Sequence, residues 1–311
     1  MSAPVAPFRW LWGQAYLLLP FTFLFWAGNA IVGRAVADSF PPAALAQLRW
    51  IGAGLIVLPF AWRYLRADAA LIRKHWVVLL VMSFTGITVF NTLQYAALEH
   101  TTALNVLLLQ ATMPLLIAAG SFVINRDRLT GGQIAGIAVS IAGVLAIVSG
   151  GDLNVLLHFR LNPGDAIFVF ALAVYSIYSA LLKRRPGLHW LSFLAVTIWW
   201  GAILLLPVTI WEFAQGARPE MTAGNGLALV YVMIFPSVIA YLCFNRGVEL
   251  IGPNRVGPFF HLVPLFGTLL AVALLGEAFT LAHAAGAALI ACGIGLASLK
   301  SRKPLPAPQP D

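Results

Sequence analysis

Long apolar runs, separated by short polar or charged turns, make up almost the whole chain. A membrane-spanning helix needs about 20 predominantly apolar residues, and several stretches approach that length. They cover residues 15–37, 43–62, 75–97, 102–124, 131–149, 163–182, 191–211, 225–247, 254–275 and 281–299. The pattern therefore predicts an all-α polytopic membrane protein with ten transmembrane helices joined by short loops. The Pro-rich end, residues 304–311, is predicted to be disordered.

The second half of the chain repeats the first. When residues 95–149 are shifted by 150 positions onto 245–299, residues with special backbone or charge roles coincide. The coinciding pairs are Pro114 and Pro264, Gly136 and Gly286, Gly143 and Gly293, Glu99 and Glu249, Thr130 and Thr280, and Asp127 and Glu277. Such matches are informative because each marks a particular backbone or charge requirement. We predict two five-helix repeats, residues 1–150 and 151–303.

Five helices is an odd number, so the second repeat must enter the membrane upside down. The turn at Asp127 is then expected on the cytoplasmic side and the turn at Glu277 on the outer side. Inverted repeats are typical of secondary transporters, whose substrate site lies near the membrane midplane between the halves. Two such halves can exchange conformations and so open one site to either side.

Polar residues in the first and third helices also match between the halves. With a shift of 149 or 150 positions, Trp26 and Asn29 fall on Tyr175 and Tyr178, Asn91 on Tyr241, and Tyr95 on Asn245. We call two residues related by this shift counterparts. Each pair within one helix is three or four residues apart and shares a face. Amides and phenols are costly against lipid, so these faces are expected to point into the bundle.

Charged residues are few and unevenly placed. The chain is 60% hydrophobic and 10% charged, whereas soluble domains carry about 25% charged residues. Fifteen of the nineteen lysines and arginines fall in segments on the side of the N-terminus, so both termini are predicted to be cytoplasmic. This asymmetry explains the net charge of +8 without any nucleic acid. We expect a multi-pass protein of a bacterial inner membrane, with lipids and a small-molecule substrate as partners; monomer and homodimer both stay open.

Several motifs together resemble the EamA branch of the drug/metabolite transporter superfamily. They are WAGNAIVGR at 26–34, the arginine of AQLRW at 46–50, QATMPLL at 110–116 and HLVPLFGTLLAVALLGE at 261–277. The first half has Asn-Arg-Asp at 125–127 where the second half has Leu-Gly-Glu. Length and aromatic content are most similar to the aromatic amino-acid exporters of the YddG type. The resemblance implies a central cavity lined by helices 1, 3, 4, 6, 8 and 9, with helices 5 and 10 packed outside.

The candidate substrate-binding residues offer aromatic rings, amides, phenols and one imidazole. They are Trp26, Asn29, Asn91, Tyr95, Gln110, Tyr175, Tyr178, Tyr241, Asn245 and His261. No lysine, arginine or carboxylate is expected at mid-depth, which argues against carriers of phosphorylated substrates and of cationic drugs. An uncharged lining suits neutral or zwitterionic solutes, so export of amino acids, including aromatic ones, is the first hypothesis. The alternatives are export of other amphipathic metabolites or drugs, and purely structural roles for these side chains.

Five further residues are candidates for conformational roles. Arg34, Arg49 and Glu277 are all expected toward the outer face, where they either form ion pairs or simply reach the head groups. Pro114 and Pro264 lie within predicted helices and act as hinges or as fixed bends.

His261 either exchanges protons or is a hydrogen-bonded structural residue. Direction of transport and energy coupling stay open.

An enzyme is the second alternative class, for example one acting on lipid head groups. Such an enzyme needs Asp, His or Ser clustered at one interface, whereas the six histidines are scattered along the chain. Cys243 and Cys292 lie in apolar segments without metal-ligand spacing. We therefore predict no catalytic activity, no metal and no cofactor.

Overall fold

Helices form the framework of the chain. The computed structural model describes residues 10–101, 103–158, 162–275 and 279–299, and contains no strand within these ranges. In chain order the main helical segments are α1 (Ala15–Ala35), α2 (Pro42–Ala67), α3 (Trp76–His100), α4 (Ala103–Gln110 and Met113–Asn125), α5 (Gly131–Ser149), α6 (Pro163–Leu181, then a 3₁₀ turn, Leu182–Arg184), α7 (Trp190–Ala214), α8 (Ala223–Ile251), α9 (Pro253–Val256, Gly257–His261 and Leu262–Leu275) and α10 (Leu281–Ser298). Two short helices, Ala69–Lys74 and Leu153–Leu157, lie in the connections.

Nine helices of the described residues are long and apolar enough to cross a membrane. They confirm the corresponding predicted spans within a few residues. The stretch predicted over 254–275 differs, because α9 is divided into an α-helical turn, a 3₁₀ segment (Gly257–His261) and a longer helix (Leu262–Leu275). Glycine and proline at 257 and 258 favour this interruption. The Pro-rich end at 304–311 lies outside the described residues.

Helices α4 and α9 are interrupted at counterpart positions. The two pieces of α4 are separated at Ala111 and Thr112, and α9 changes from 3₁₀ to α-helix after His261. Each interruption lies two or three residues before a matched proline, Pro114 or Pro264. Proline has no N–H and so leaves the carbonyl four residues earlier without its helical partner. Pro114 therefore stands in the first turn of a new helical piece, not in the middle of a continuous helix.

Helices α3 and α8 share another irregularity. A π-helical segment occupies Phe84–Val89 in α3 and Met233–Ile239 in α8. These segments begin 149 positions apart and end 150 positions apart. A π segment shifts backbone bonds from i−4 to i−5, and such segments are frequent at functional sites. The interruptions thus fall on two counterpart pairs of helices, α4 with α9 and α3 with α8, which directs attention to the centre of the bundle.

Helices α5 and α10 pack closely and antiparallel through glycines. A Cβ atom on Gly143 would lie 2.7 Å from the carbonyl oxygen of Gly286, and one on Gly286 would lie 2.6 Å from that of Gly143. Gly136 and Gly293 make the same backbone approach further along the pair. Shifting each residue to its counterpart turns the contact of Gly136 with Gly293 into that of Gly286 with Gly143. These close glycine contacts are thus made within one chain.

A carboxylate from α7 fixes the start of α2. Glu212 accepts hydrogen bonds from the backbone N–H groups of Ala43 (3.0 Å) and Ala44 (2.7 Å). These N–H groups have no partner inside their own helix, and a negative charge is favourable at a helix N-terminus. The tie holds α2 and α7 together at the end of the bundle where α1 ends.

Candidate functional site

A cluster of aromatic rings from four helices fills the centre of the bundle. Trp26 of α1 is in the middle, with ring centroids 5.8 Å from Tyr175, 5.7 Å from Tyr241, 5.1 Å from Phe244 and 5.7 Å from Phe260. Tyr175 and Tyr241 are almost completely buried. Edge-on and tilted ring contacts at such distances stabilise the packing. The cluster ties α1, α6, α8 and α9 together around one point.

Two tyrosine–asparagine hydrogen bonds stand on either side of this cluster. The Tyr95 hydroxyl donates to Asn29 Oδ1 at 2.9 Å, and the Tyr178 hydroxyl donates to Asn245 Oδ1 at 2.7 Å. Asn29 is the counterpart of Tyr178, and Tyr95 is the counterpart of Asn245. Replacing each residue by its counterpart therefore turns one bond into the other. The tyrosine is on α3 in the first bond and on α6 in the second, and the asparagine is on α1 and α8.

Three further contacts join a residue directly to its own counterpart. Trp26 meets Tyr175 edge to face, Asn91 Nδ2 donates to the Tyr241 hydroxyl at 3.1 Å, and His261 Nε2 lies 3.0 Å from the Ala111 carbonyl oxygen. Ala111 is at the break in α4, where its carbonyl is released from the helix. These contacts mark where the two halves of the chain meet face to face.

The π segments supply backbone acceptors to the same region. The Gly86 carbonyl accepts from the Tyr241 hydroxyl at 2.5 Å and from Asn91 Nδ2 at 3.3 Å. The Pro236 carbonyl accepts from Trp26 Nε1 at 3.2 Å. Polar side chains of the candidate set are thus held by carbonyls that a regular α-helix would use internally. The sequence did not predict these segments, because a π turn leaves the apolar pattern almost unchanged.

Arg49 lies inside this region, so it does not simply reach the head groups, which is one of the two roles predicted for it. Its side chain is only 1% exposed. Nε donates to Ser237 Oγ at 2.5 Å, and Nη1 donates to the Tyr95 hydroxyl at 2.8 Å and to Asn29 Oδ1 at 3.3 Å. Because α2 begins at Pro42, Arg49 lies about 10 Å along the helix at 1.5 Å per residue. The expected uncharged lining is therefore wrong, and the lack of a basic side chain no longer argues against phosphorylated substrates.

A small cavity borders both Arg49 and Trp26 of the aromatic cluster. Its lining consists of Trp26, Asn29, Ala30, Arg49, Phe90, Asn91, Gln94 and Gln110. The cavity is about 10 Å³, roughly the room that one water molecule needs. Four of the candidate substrate-binding residues border it directly, and the sequence did not single out Gln94, Phe90 or Ser237. At this volume the centre of the bundle is closed around its polar groups.

The other candidates lie around the cavity instead of on its wall. Tyr95 bonds to Arg49 from one side, and Tyr175, Tyr178 and Tyr241 pack behind the wall. Asn245 borders a second small pocket together with Arg185, Arg246 and Glu249. His261 is completely buried, and its Nδ1 has no hydrogen-bond partner within the described chain. The candidate set is thus largely buried, with Trp26 partly exposed, and only some of its members line the cavity.

Ion pairs close the bundle at one end, which we call the basic face. It is formed by Asp127, Lys183, Arg185, Arg246 and Glu249. Lys183 Nζ lies 2.5 Å from Asp127 Oδ1, and Glu249 pairs with both Arg185 and Arg246 at 3.0 Å. Arg246 also donates to the Trp12 carbonyl, which fixes the chain before α1. These bonds connect the ends of α4, α6 and α8.

The opposite end holds the remaining gating candidates. Arg34, the counterpart of Lys183, is exposed and donates to the Leu98 carbonyl at 3.1 Å. Glu277, the counterpart of Asp127, lies outside the described residues, so the predicted ion pair with Arg34 is not described. Asp165 is buried there and accepts from Asn105 Nδ2 at 2.8 Å and from the Thr101 hydroxyl. That tie joins the end of α3 to the start of α6.

Nine helices of the described residues are apolar and long enough to cross a membrane, and interrupted helices surround a buried polar centre, an arrangement typical of membrane transporters. The sequence profile of the EamA-like transporter family matches residues 13–149 and again residues 162–299. The chain belongs to this family. Its predicted membership of the drug/metabolite transporters is thereby confirmed at the family level.

Individual relatives give the same class. The chain is 27% identical over 288 residues to the uncharacterized transporter YyaM of Bacillus subtilis, covering 91% of this chain and 93% of that protein. It is 28% identical over 297 residues to an uncharacterized transporter of Archaeoglobus fulgidus, covering 93% and 99%. A crystal structure of a protein with 22% sequence identity superposes with a TM-score of 0.74 over 91% of this chain and 96% of the other. That likeness concerns the fold alone.

Proposed function

We propose that the protein is a secondary transporter that exports small zwitterionic metabolites by alternating access, with amino acids, including aromatic ones, as the first substrates to test. It is not an enzyme in this proposal. The observation that carries it is the exchange of contacts between counterparts, above all the two tyrosine–asparagine bonds. Two inverted five-helix repeats explain why the two tyrosine–asparagine bonds are equivalent.

Alternating access follows from this relationship. In an inverted repeat, each half can adopt the conformation of the other half. This exchange opens the same central site to the other side of the membrane. The pair of Lys183 with Asp127 closes the basic face, and its counterpart pair is Arg34 with Glu277. We infer that the two pairs act as opposite gates and that a conformation with a larger cavity admits the substrate.

The cavity chemistry supports a substrate with a polar head group and an apolar body. The amides of Asn91, Gln94 and Gln110 offer both donors and acceptors, and Trp26 and Phe90 offer ring faces. Within the described chain, Arg49 is the one lysine or arginine among the buried residues. A phosphate monoester needs more positive charge than one guanidinium to offset its own, so a molecule with a single carboxylate fits better.

Orientation is inferred from the basic residues. Cytoplasmic segments of membrane proteins carry an excess of lysine and arginine, which makes the basic face cytoplasmic and both termini internal. This orientation in a bacterial inner membrane places Lys183 and Asp127 at the entrance that an exported metabolite meets first. Fusion of a reporter at either end, read on both sides of the membrane, tests the orientation.

The decisive experiment measures flux in proteoliposomes. Purified protein is reconstituted into liposomes that contain unlabelled phenylalanine or leucine. Counterflow of the labelled compound into these liposomes is then measured, with protein-free liposomes as the control. Saturable counterflow that unlabelled amino acid suppresses is the expected result. Dipeptides, nucleosides and cationic dyes are assayed in parallel as alternative substrates. Chemical conversion of a compound without any flux would instead identify an enzyme.

A further inference from the structure

Arg49 carries a buried charge that no carboxylate among the described residues balances. None of the ion pairs among the described residues includes Arg49, and its three bonded partners, Ser237, Tyr95 and Asn29, are neutral. Burying an unpaired charge is costly, and charged residues deep in membrane proteins are usually functional. These hydrogen bonds engage Nε and Nη1, and the Trp50 ring centroid lies 4.7 Å from the guanidinium carbon, but none of these partners carries a negative charge. A buried cation of this kind is suited to binding an anionic ligand.

The geometry leaves one side of the guanidinium available to such a partner. The three hydrogen bonds engage Nε and Nη1, so the second amino group, Nη2, has no bond from any described residue. Arg49 also borders the cavity, where Gln94 and Gln110 stand with it. These bonds hold the guanidinium in place from α1, α3 and α8. The group is thus fixed before a ligand arrives, which lowers the entropy cost of binding.

We propose that Arg49 binds the carboxylate of the transported molecule, so that the transporter selects compounds with a single carboxylate next to an apolar body. This inference rests on the proposed function and names its substrate class. Nη2 and its neighbouring amides receive the carboxylate, and the apolar body extends toward the rings of Trp26 and Phe90. Entry of the anion neutralises the buried charge, which favours closure of the cavity around the loaded substrate.

The two halves of the chain differ at this position. The counterparts of Arg49 in α7 are Ile198 at a shift of 149 and Trp199 at a shift of 150. The charge is therefore present on one side of the centre only, although the surrounding tyrosine–asparagine bonds occur on both. A symmetric structural role would favour matched side chains in both halves. A single cation instead gives the substrate one orientation, with its carboxylate toward α2.

The rival explanation is that Arg49 only cross-links helices through its three hydrogen bonds. The two explanations differ in what they say about ligands. A cross-link affects stability and leaves the relative recognition of acids and amides unchanged. A carboxylate partner makes that recognition depend on the charge and on the flat fork of the guanidinium. Ligand discrimination is therefore the readout that separates them.

The test uses four compounds with one phenyl body: phenylalanine, phenylalaninamide, phenethylamine and 3-phenylpropionate. Each is assayed for inhibition of labelled phenylalanine counterflow and, independently, for the shift in melting temperature of the purified protein in detergent. For the unaltered protein we expect the two carboxylates to act at concentrations about ten- to a hundredfold lower than the amide and the amine. Arg49→Gln is expected to abolish this preference, and Arg49→Lys to retain part of it.

Thr197→Val is the matched control, because Thr197 is buried and its hydroxyl bonds only to carbonyls of its own helix. Equal potency of amide and acid on the unaltered protein would overturn the carboxylate assignment and leave the transport proposal standing. Folded Arg49→Gln protein with the acid preference intact would overturn it as well. Carboxylate-specific melting shifts without any flux would remove the transport proposal alone, and absence of both responses would remove both.

Discussion

Asn91 Nδ2 donates a hydrogen bond to the hydroxyl of Tyr241 at 3.1 Å, and the two residues are 150 positions apart. Each is the counterpart of the other, so exchanging the two halves turns this contact into itself. A contact of this kind can persist when the halves exchange conformations. The bond between Tyr95 and Asn29, in contrast, is exchanged for the bond between Tyr178 and Asn245.

Tyr241→Phe is expected to weaken both the fold and the transport cycle. The change removes the hydroxyl that donates to the Gly86 carbonyl and accepts from Asn91. Hydrogen bonds between membrane helices contribute about 0.5–2 kcal/mol, so we expect a measurable fall in melting temperature. Counterflow should fall further than the loss of stability explains, because the hydroxyl ties α8 to the π segment of α3 at the point where the two halves meet. Tyr16→Phe, at an exposed ring, is the control for losing a phenol; an equal effect there would contradict the prediction.

The glycine contact of α5 with α10 is expected to be intolerant of larger side chains. Gly143→Leu places carbon where the Gly286 backbone already lies 2.7 Å from the position of a Cβ atom. Overpacking of this kind costs about 1–3 kcal/mol. Gly295→Ala is the matched control, because a Cβ atom there meets nothing within 4 Å, and alanine favours a helix by up to about 1 kcal/mol. In detergent, the melting temperature of Gly143→Leu should fall and that of Gly295→Ala should rise.

Hydropathy alone predicted most of the spans, because a helix in lipid must be about 20 apolar residues long. The shift of 149 or 150 also selected Asn29, Asn91, Tyr95 and Tyr241 before any contact was known. The burial of Arg49 was not predicted, because a charge near the end of a predicted span is normally assigned to the interface. Its burial depends on Ser237, 188 positions away, and no local pattern pairs such distant residues.

His261 is expected to have a structural role. Its Nε2 lies 3.0 Å from the Ala111 carbonyl, and no ion pair among the described residues includes it. A histidine without a carboxylate partner is a poor proton relay. His261→Gln retains a donor for the carbonyl, so the dependence of counterflow on pH should not change, whereas His261→Leu should lower the melting temperature. A pH dependence that disappears in folded His261→Gln protein would show proton coupling.

The ion pair of Lys183 with Asp127 is expected to act as a gate more than as a source of stability. Both side chains are partly exposed, at 47% and 28%, and exposed pairs contribute little to folding. Lys183→Asp or Asp127→Lys alone should lower counterflow with little change in melting temperature. The double swap should restore most of the flux, because attraction across the basic face returns. Flux that stays low in the double variant would mean that the two positions act separately.

Arg34 and Glu277 are counterparts of Lys183 and Asp127, so the same experiment has an equivalent at the opposite end of the bundle. Arg34→Glu should impair counterflow, and adding Glu277→Arg should rescue it if these residues form the second gate. Arg218→Glu is a suitable control, because Arg218 is exposed and bonds only to carbonyls near the end of α7. The alternative is that Arg34 merely reaches the head groups while bonded to the Leu98 carbonyl. In that case reversal at Glu277 gives no rescue, and closure at the outer end must depend on other contacts.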